Sequence, residues 1–217
     1  MDKKVGIFWD WNGTLIDDAF VFVDIMNVFL KQRDLDTINI KKYRDCFEFP
    51  IENYYKKLGF NFKKETFKEV GVDFIKKYKA KRFRADFFPQ IKSLLSLLKQ
   101  KGVYNFIVSA QEHSLLCSAV DYYGVGQYFK DFLGVDNISA LGKVENAKKL
   151  KEKYRHCLDK IIVVGDTPHD MEMAQAVNGF GVLVSYGHYS KKRLLNEGSI
   201  LVDSVEELKN IVFLNIN

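Results

Sequence analysis

Five short apolar runs, each closed by polar or turn-forming residues, punctuate the chain at 5–9, 105–108, 132–135, 160–164 and 181–185. They are rich in β-branched and aromatic residues, which predicts strands covered on both faces. Between them the period changes. Ile91, Leu94, Leu95, Leu97 and Leu98 return every three or four positions, and the stretches 115–123 and 147–154 behave alike. That spacing predicts helices. Strands alternating with helices predict an α/β fold with a parallel sheet, in which ligands bind beyond the carboxyl ends of the strands.

Residues 19–85 break this rhythm and predict helices without strands. Phe67, Val70, Phe74 and Tyr78 form one apolar stripe, with Lys68, Lys76, Lys77 and Lys79 off it. Phe20, Val23, Met26 and Leu30 form a second. Pro50 predicts a helix opening at Ile51. The segment reads as an α-helical insertion, with Phe87, Phe88 and Pro89 marking the return to the sheet and 15–18 and 84–89 as hinges.

Composition narrows the picture only a little. A chain of 217 residues with 47% hydrophobic content can bury a sizeable core. The net charge of +5 is too small and dispersed to point to nucleic acid, and suits anionic small molecules at most. Cys46, Cys117 and Cys157 are scattered and form no C-x-x-C pair, which argues for a reducing compartment and against a zinc site. The first apolar run is too short for a signal sequence, and no stretch is long enough for a membrane span. The expectation is a cytoplasmic protein without membrane contact, monomeric or a weak homodimer.

Polar groups with chemical potential stand where the apolar runs stop. Asp10 follows the first run, in Asp10-Trp11-Asn12-Gly13-Thr14-Leu15. A carboxylate on a tight turn can attack phosphorus in line, Gly13 lets the backbone turn sharply, and Thr14 can bond a carboxylate or a phosphate oxygen. The same residues are also favoured in ordinary turns. Asp166 and Asp170 follow the fourth run, in Gly165-Asp166-Thr167-Pro168-His169-Asp170. Three converging carboxylates need a cation, and Mg²⁺ prefers oxygen ligands; Asp166 or Thr167 also reads as a helix N-cap. Ser109 and Ala110 end the second run before a helix expected near Gln111, where free N–H groups bind anions. Lys143 opens a helix, against the helix dipole, which favours an anionic partner or a surface position.

In this order, Asp10, Ser109, Lys143 and the Asp166/Asp170 pair, with a helical insertion after the first motif, resemble the haloacid dehalogenase superfamily. The stretches 87–95 and 163–167 are similar to its phosphoglycolate-phosphatase-like branch. The resemblance covers essentially the whole chain. It implies a Rossmann-like parallel sheet core at 1–17 and 86–217 and an α-helical cap at 18–85. It implies a phosphatase acting on a small phosphorylated metabolite, phosphoglycolate or a sugar phosphate, through an aspartyl-phosphate on Asp10. Asp10, the main-chain carbonyl of Asn12, Asp166 and Asp170 would bind Mg²⁺. Thr14, Ser109, Ala110 and Lys143 would hold the phosphoryl group.

Asn12 departs from the family pattern, which usually has Asp there to protonate the leaving group and activate water. General acid–base help is worth about 10²–10⁴-fold. His113, His169 and His188 are candidate substitutes. An acyl phosphate would need no acid. A phosphonate cleaved through a cap lysine (Lys41, Lys42, Lys56 or Lys57) is a related option, and a phospho-ligand sensor with a vestigial site is a third. Arg44, Tyr54, Tyr55, Lys56 and Lys57 are candidate substrate contacts in the insertion.

Overall fold

The computed structural model describes residues 4–136, 142–195 and 200–216. Its elements run β1 (Lys4–Trp9), α1 (Ala19–Lys31), α2 (Ile40–Cys46), α3 (Ile51–Lys57), α4 (Phe67–Lys81), α5 (Ile91–Gln100), β2 (Tyr104–Glu112), α6 (His113–Tyr122), β3 (Phe129–Val135), α7 (Lys143–Lys153), β4 (Leu158–Gly165), α8 (Pro168–Ala176), β5 (Phe180–Val184), α9 (Lys191–Leu194), β6 (Ile200–Val202) and α10 (Val205–Ile216). The strands form one six-stranded sheet in the order β3-β2-β1-β4-β5-β6, and every pairing is parallel. The expected α/β fold is thus what the chain builds. All five expected strands are present; β6, three residues long, carries too short an apolar run to stand out.

The order matters because it reverses between β1 and β4. Connections leave these two strands in opposite directions, and a crevice opens at their carboxyl ends. Trp9 pairs with Val164 in the ladder, and the Asp10 N–H donates to the Val164 carbonyl at 2.9 Å. Residues following β1 and β4 therefore meet across that crevice. Consecutive residues of both strands are buried, Ile7, Phe8 and Trp9 against Ile162, Val163 and Val164, as a sheet covered on both faces requires. One polar pair ties β1 to β2 inside this core: the Trp9 indole N–H donates to the Asn105 side-chain carbonyl at 3.0 Å.

Helices α1 to α4 lie between β1 and β2 in sequence. Thr66 and Glu69 form a reciprocal cap that starts α4, and its stripe Val70, Phe74 and Tyr78 is buried. The stripe expected on α1 needs correcting. Phe20 is 37% exposed, whereas Val21, Ile25 and Phe29 join Val23, Met26 and Leu30 inside, so α1 is apolar around most of its girth. Where the chain enters and leaves the helical segment its two strands are tied together: Asp17 N–H donates to Asp86 O and Phe88 N–H to Leu15 O. Arg44 of α2 donates to the carbonyls of Tyr186 (2.6 Å) and Gly187 (2.7 Å), closing a second seam against the loop after β5. Among the described residues no helix is long and apolar enough to cross a membrane.

Asn105→Ala leaves the buried indole N–H of Trp9 unpaired. It should destabilise the chain by about 1–3 kcal/mol in urea unfolding; a change near zero would contradict the assigned bond.

Candidate active site

The groups singled out in the sequence converge at the carboxyl ends of β1, β2 and β4. Asp10, Asp166 and Asp170 are all buried, and each offers a carboxylate oxygen within 4.8 Å of the others. Lys143, 6% exposed, sits among them with Nζ 2.7 Å from Asp10 Oδ1 and 2.6 Å from Asp170 Oδ1. The lysine that opposes the dipole of α7 is thus a buried counter-ion. Thr14 donates to Asp166 Oδ1 at 3.2 Å, and the His188 N–H donates to Asp166 Oδ2 at 2.6 Å. Asp170 has both oxygens engaged. Oδ1 takes Lys143, and Oδ2 takes the N–H groups of Asp166 and Thr167 and the Thr167 hydroxyl. The N-cap of α8 and the acidic cluster are therefore one structure.

Two glycines permit this crowding. Gly13 adopts φ 73, a left-handed turn that brings the chain against Asp166. A Cβ on Gly165 would lie 1.9 Å from Asp170 Cγ.

Ser109 is buried, but not at a helix start. Strand β2 continues to Glu112 and α6 begins at His113, so the anion site expected at the N–H groups near Gln111 is not there. The β2–β3 ladder runs to Val108↔Leu133 and resumes at Glu112↔Val135, which pushes 109–111 out of register as a bulge. Ser109, Ala110 and Gln111 consequently line the cavity beside Asp10 and Lys143. The Gln111 N–H is turned to the Ser109 hydroxyl at 3.0 Å.

Asn12 has both amide protons committed. Its Nδ2 donates to Asp18 Oδ2 (2.6 Å) and to the Tyr78 hydroxyl (2.7 Å), while Tyr78 itself donates to Asp18 Oδ2 (3.1 Å). His188 donates from Nε2 to Asp18 Oδ1 at 3.1 Å and pairs through Nδ1 with the Tyr43 hydroxyl at 2.7 Å. Asp18 and Tyr78 are absent from the sequence-based candidates. Asp18 enters the sequence reading only as the end of the 15–18 hinge; it stands at the N-cap position of α1, yet its side chain makes no cap bond and faces the site instead. Of the three candidate histidines, His188 is buried in this network; His169 pairs with Glu172 at the rim, and His113 accepts from the Gly134 N–H.

The insertion contributes aromatic walls. Tyr54 and Tyr55 line the cavity, whereas Arg44 is held by backbone carbonyls. Lys56 pairs with Glu52 and Lys57 with Glu48, Lys41 and Lys42 are exposed, and none of these four lines the cavity.

Electrostatics show what the cluster lacks. Burial pushes the Asp10 carboxyl up to about 8, Lys143 opposes, and Asp170 and Asp166 add to the rise. Burial also raises Asp166. Burial lowers the Lys143 ammonium, but Asp10 and Asp170 more than reverse this and hold it charged. Three acids and one ammonium leave uncompensated negative charge, which a proton or a further cation relieves. The all-oxygen donor set fits a hard divalent ion such as Mg²⁺.

The sign of the resulting pH dependence follows. Asp10 is raised from its ordinary 3.8, so between about pH 4 and pH 8 the folded chain keeps a proton that the unfolded chain has lost. Stability falls as pH rises through that window. In EDTA the thermal midpoint should drop from pH 5 to pH 8, and Mg²⁺ should raise it more at pH 8 than at pH 5. Asp10→Asn should flatten the slope and raise the pH 8 midpoint in EDTA by about 3 °C or more. A midpoint insensitive to pH, to Mg²⁺ and to Asp10→Asn would contradict this picture.

Comparison with known proteins agrees with the topology. The profile of the haloacid dehalogenase-like hydrolases matches residues 7–184. A phosphoglycolate phosphatase of Vibrio vulnificus (strain YJ016) is 24% identical over 131 residues, covering 59% of this chain and 57% of that protein. The matched region thus spans only a little over half the length of such relatives. Among solved structures, a predicted phosphatase from Clostridium acetobutylicum superimposes with TM-score 0.80 at 21% identity, covering 98% of this chain and 100% of the other. Protein tyrosine kinase A of Mycobacterium tuberculosis superimposes with TM-score 0.81 at 20% identity, covering 97% and 98%. At such identities the likeness is one of fold, and the fold alone selects neither activity.

Proposed function

The chain belongs to the haloacid dehalogenase-like hydrolases, and on that premise we propose that it is an Mg²⁺-dependent phosphatase of small phosphorylated compounds that works through an aspartyl-phosphate on Asp10. The observation that carries this reading is the contact of Lys143 with both Asp10 and Asp170 in a buried crevice that also holds Asp166 and Ser109. A merely structural lysine has no need of two buried acids, and such pairs rarely add stability.

In this reading an oxygen of the Asp10 carboxylate forms a bond to phosphorus while the ester P–O bond breaks, its electron pair leaving on the substrate oxygen. Water then breaks the bond between phosphorus and Asp10, releasing inorganic phosphate and restoring the carboxylate. Lys143 and Ser109 bind the non-bridging phosphoryl oxygens, and the ammonium offsets their charge in a low-dielectric site. Asp170 orients Lys143. Asp10, Asp166 and the Asn12 carbonyl would hold Mg²⁺, with Asp170 beside them; when bound, the ion screens nucleophile and phosphoryl charge from each other. Residues 18–85 act as the cap over 1–17 and 86–217, excluding water from the crevice.

Asn12 donates no proton to the leaving group, because its amide does not titrate and both its N–H bonds are engaged.

Asp10→Asn should reduce metal-dependent phosphate release to background while the chain stays folded by circular dichroism; activity retained in that variant excludes Asp10 as nucleophile. Exchanging the neighbours, Asn12→Asp with Asp18→Asn, keeps one acid and one amide in the pair and moves the acid to position 12. This double variant should hydrolyse alkyl phosphates about 10²-fold faster. No gain would mean that proton transfer to the leaving group is not what limits the rate.

A further inference from the structure

The cavity above Asp10 is charged at its floor and apolar on its walls. It measures about 170 Å³. An apolar cavity of about 150 Å³ accommodates a benzene ring. Phe22, Met26, Phe47, Phe74 and Ile75 of the insertion face it, with Leu115 on the core side. No arginine lines it among the described residues, and its lysine, Lys143, is held by two carboxylates. The lining histidines are engaged as well, His188 with Asp18 and Tyr43, His169 with Glu172. A second carboxylate, such as that of phosphoglycolate, would enter this space without a free cationic partner, and burying it unpaired is costly. A sugar would bring several hydroxyl groups against aromatic carbon. Among the fully buried polar side-chain atoms of the lining residues, those without partners are the Tyr54 hydroxyl and the side-chain amide of Gln111. They suit one or two neutral polar substituents.

The second observation is Asn12. With no acid at that position, hydrolysis is fastest for a leaving group that departs as an anion unaided. A phenol loses its proton near pH 10, whereas water does so near about 15.7. Wall chemistry and leaving-group chemistry therefore select the same compounds. Resting on the phosphatase reading above, we propose that the substrates are phosphate monoesters of small, neutral, single-ring phenols. The ring lies between the aromatic walls, stacked or edge-on. The Asp10 carboxylate forms its bond to phosphorus as the P–O(aryl) bond on the opposite side breaks, and the phenolate carries away the electron pair and takes its proton from water.

Three phosphate esters and one acyl phosphate separate the two requirements. Phenyl phosphate has the ring and the acidic leaving group, benzyl phosphate the ring alone, acetyl phosphate the acidic leaving group alone, and phosphoglycolate neither. With Mg²⁺, phenyl phosphate should exceed each of the others at least tenfold in kcat/KM. Benzyl phosphate should share its KM and lose in kcat. Ile75→Arg, at a half-buried wall position, should lower the ratio of phenyl phosphate to phosphoglycolate turnover at least tenfold. Equal or better turnover of phosphoglycolate or acetyl phosphate overturns the proposal and leaves the phosphatase reading intact. Binding supplies a readout free of turnover. In calorimetry with Mg²⁺, phenylphosphonate should bind at least tenfold more tightly than methylphosphonate. If it does and none of the four phosphates is hydrolysed, the ligand class stands and the phosphatase reading fails. If it does not, the proposal fails whatever the kinetics.

Discussion

The site depends on like charges held together out of water. Asp10, Asp166 and Asp170 are buried around one ammonium group. A chain selected only for stability would fill such a crevice with apolar side chains, since paired buried charges rarely repay their desolvation. Here the surrounding structure is arranged to tolerate the repulsion. The reversal of strand order between β1 and β4 opens the crevice, Gly13 and Gly165 let backbone and carboxylates approach, and the start of α8 directs two N–H groups and a hydroxyl onto Asp170. What remains uncompensated is negative charge around Asp10 and Asp166, which in the proposed reading a divalent cation offsets.

Charge and apolar surface divide the labour in the cavity. The floor comes from the ends of β1, β2 and β4; the walls come mainly from α1 to α4. Excluding water from the floor strengthens every electrostatic interaction there. The walls also reach the floor directly, through Tyr78 to Asn12 and Asp18 and through Tyr43 to His188. These tyrosines make the position of the helical segment part of the site, so a ligand that moves the walls also alters the hydrogen bonds of Asn12.

Most of the sheet could be read from the amino acids because strands buried on both faces are written as uninterrupted apolar runs. Asp10, Lys143 and Asp166 were legible for a related reason: each stands where such a run or a helix begins or ends. Other features were not. The bulge at 109–111 depends on how β2 and β3 count residues against each other, which no local pattern records, so α6 starts at His113 rather than near Gln111. Phe20 fits a helical stripe yet faces outward, because α1 is packed on several sides and the period no longer marks one face. The contacts of Asp18 with Asn12, Tyr78 and His188 join residues up to 170 positions apart. Asn12 was conspicuous in the sequence, but its partners, which explain why its amide is inert, appear only in three dimensions.

The central claim is a covalent bond between Asp10 and phosphorus. Acid quenching within the first turnover of phenyl phosphate, followed by peptide mass spectrometry, tests it most directly. The account predicts one phosphoryl group on the peptide containing Asp10, formed only with Mg²⁺ and absent from Asp10→Asn. Phosphate released at the same rate with no phosphoryl group on that peptide would contradict it.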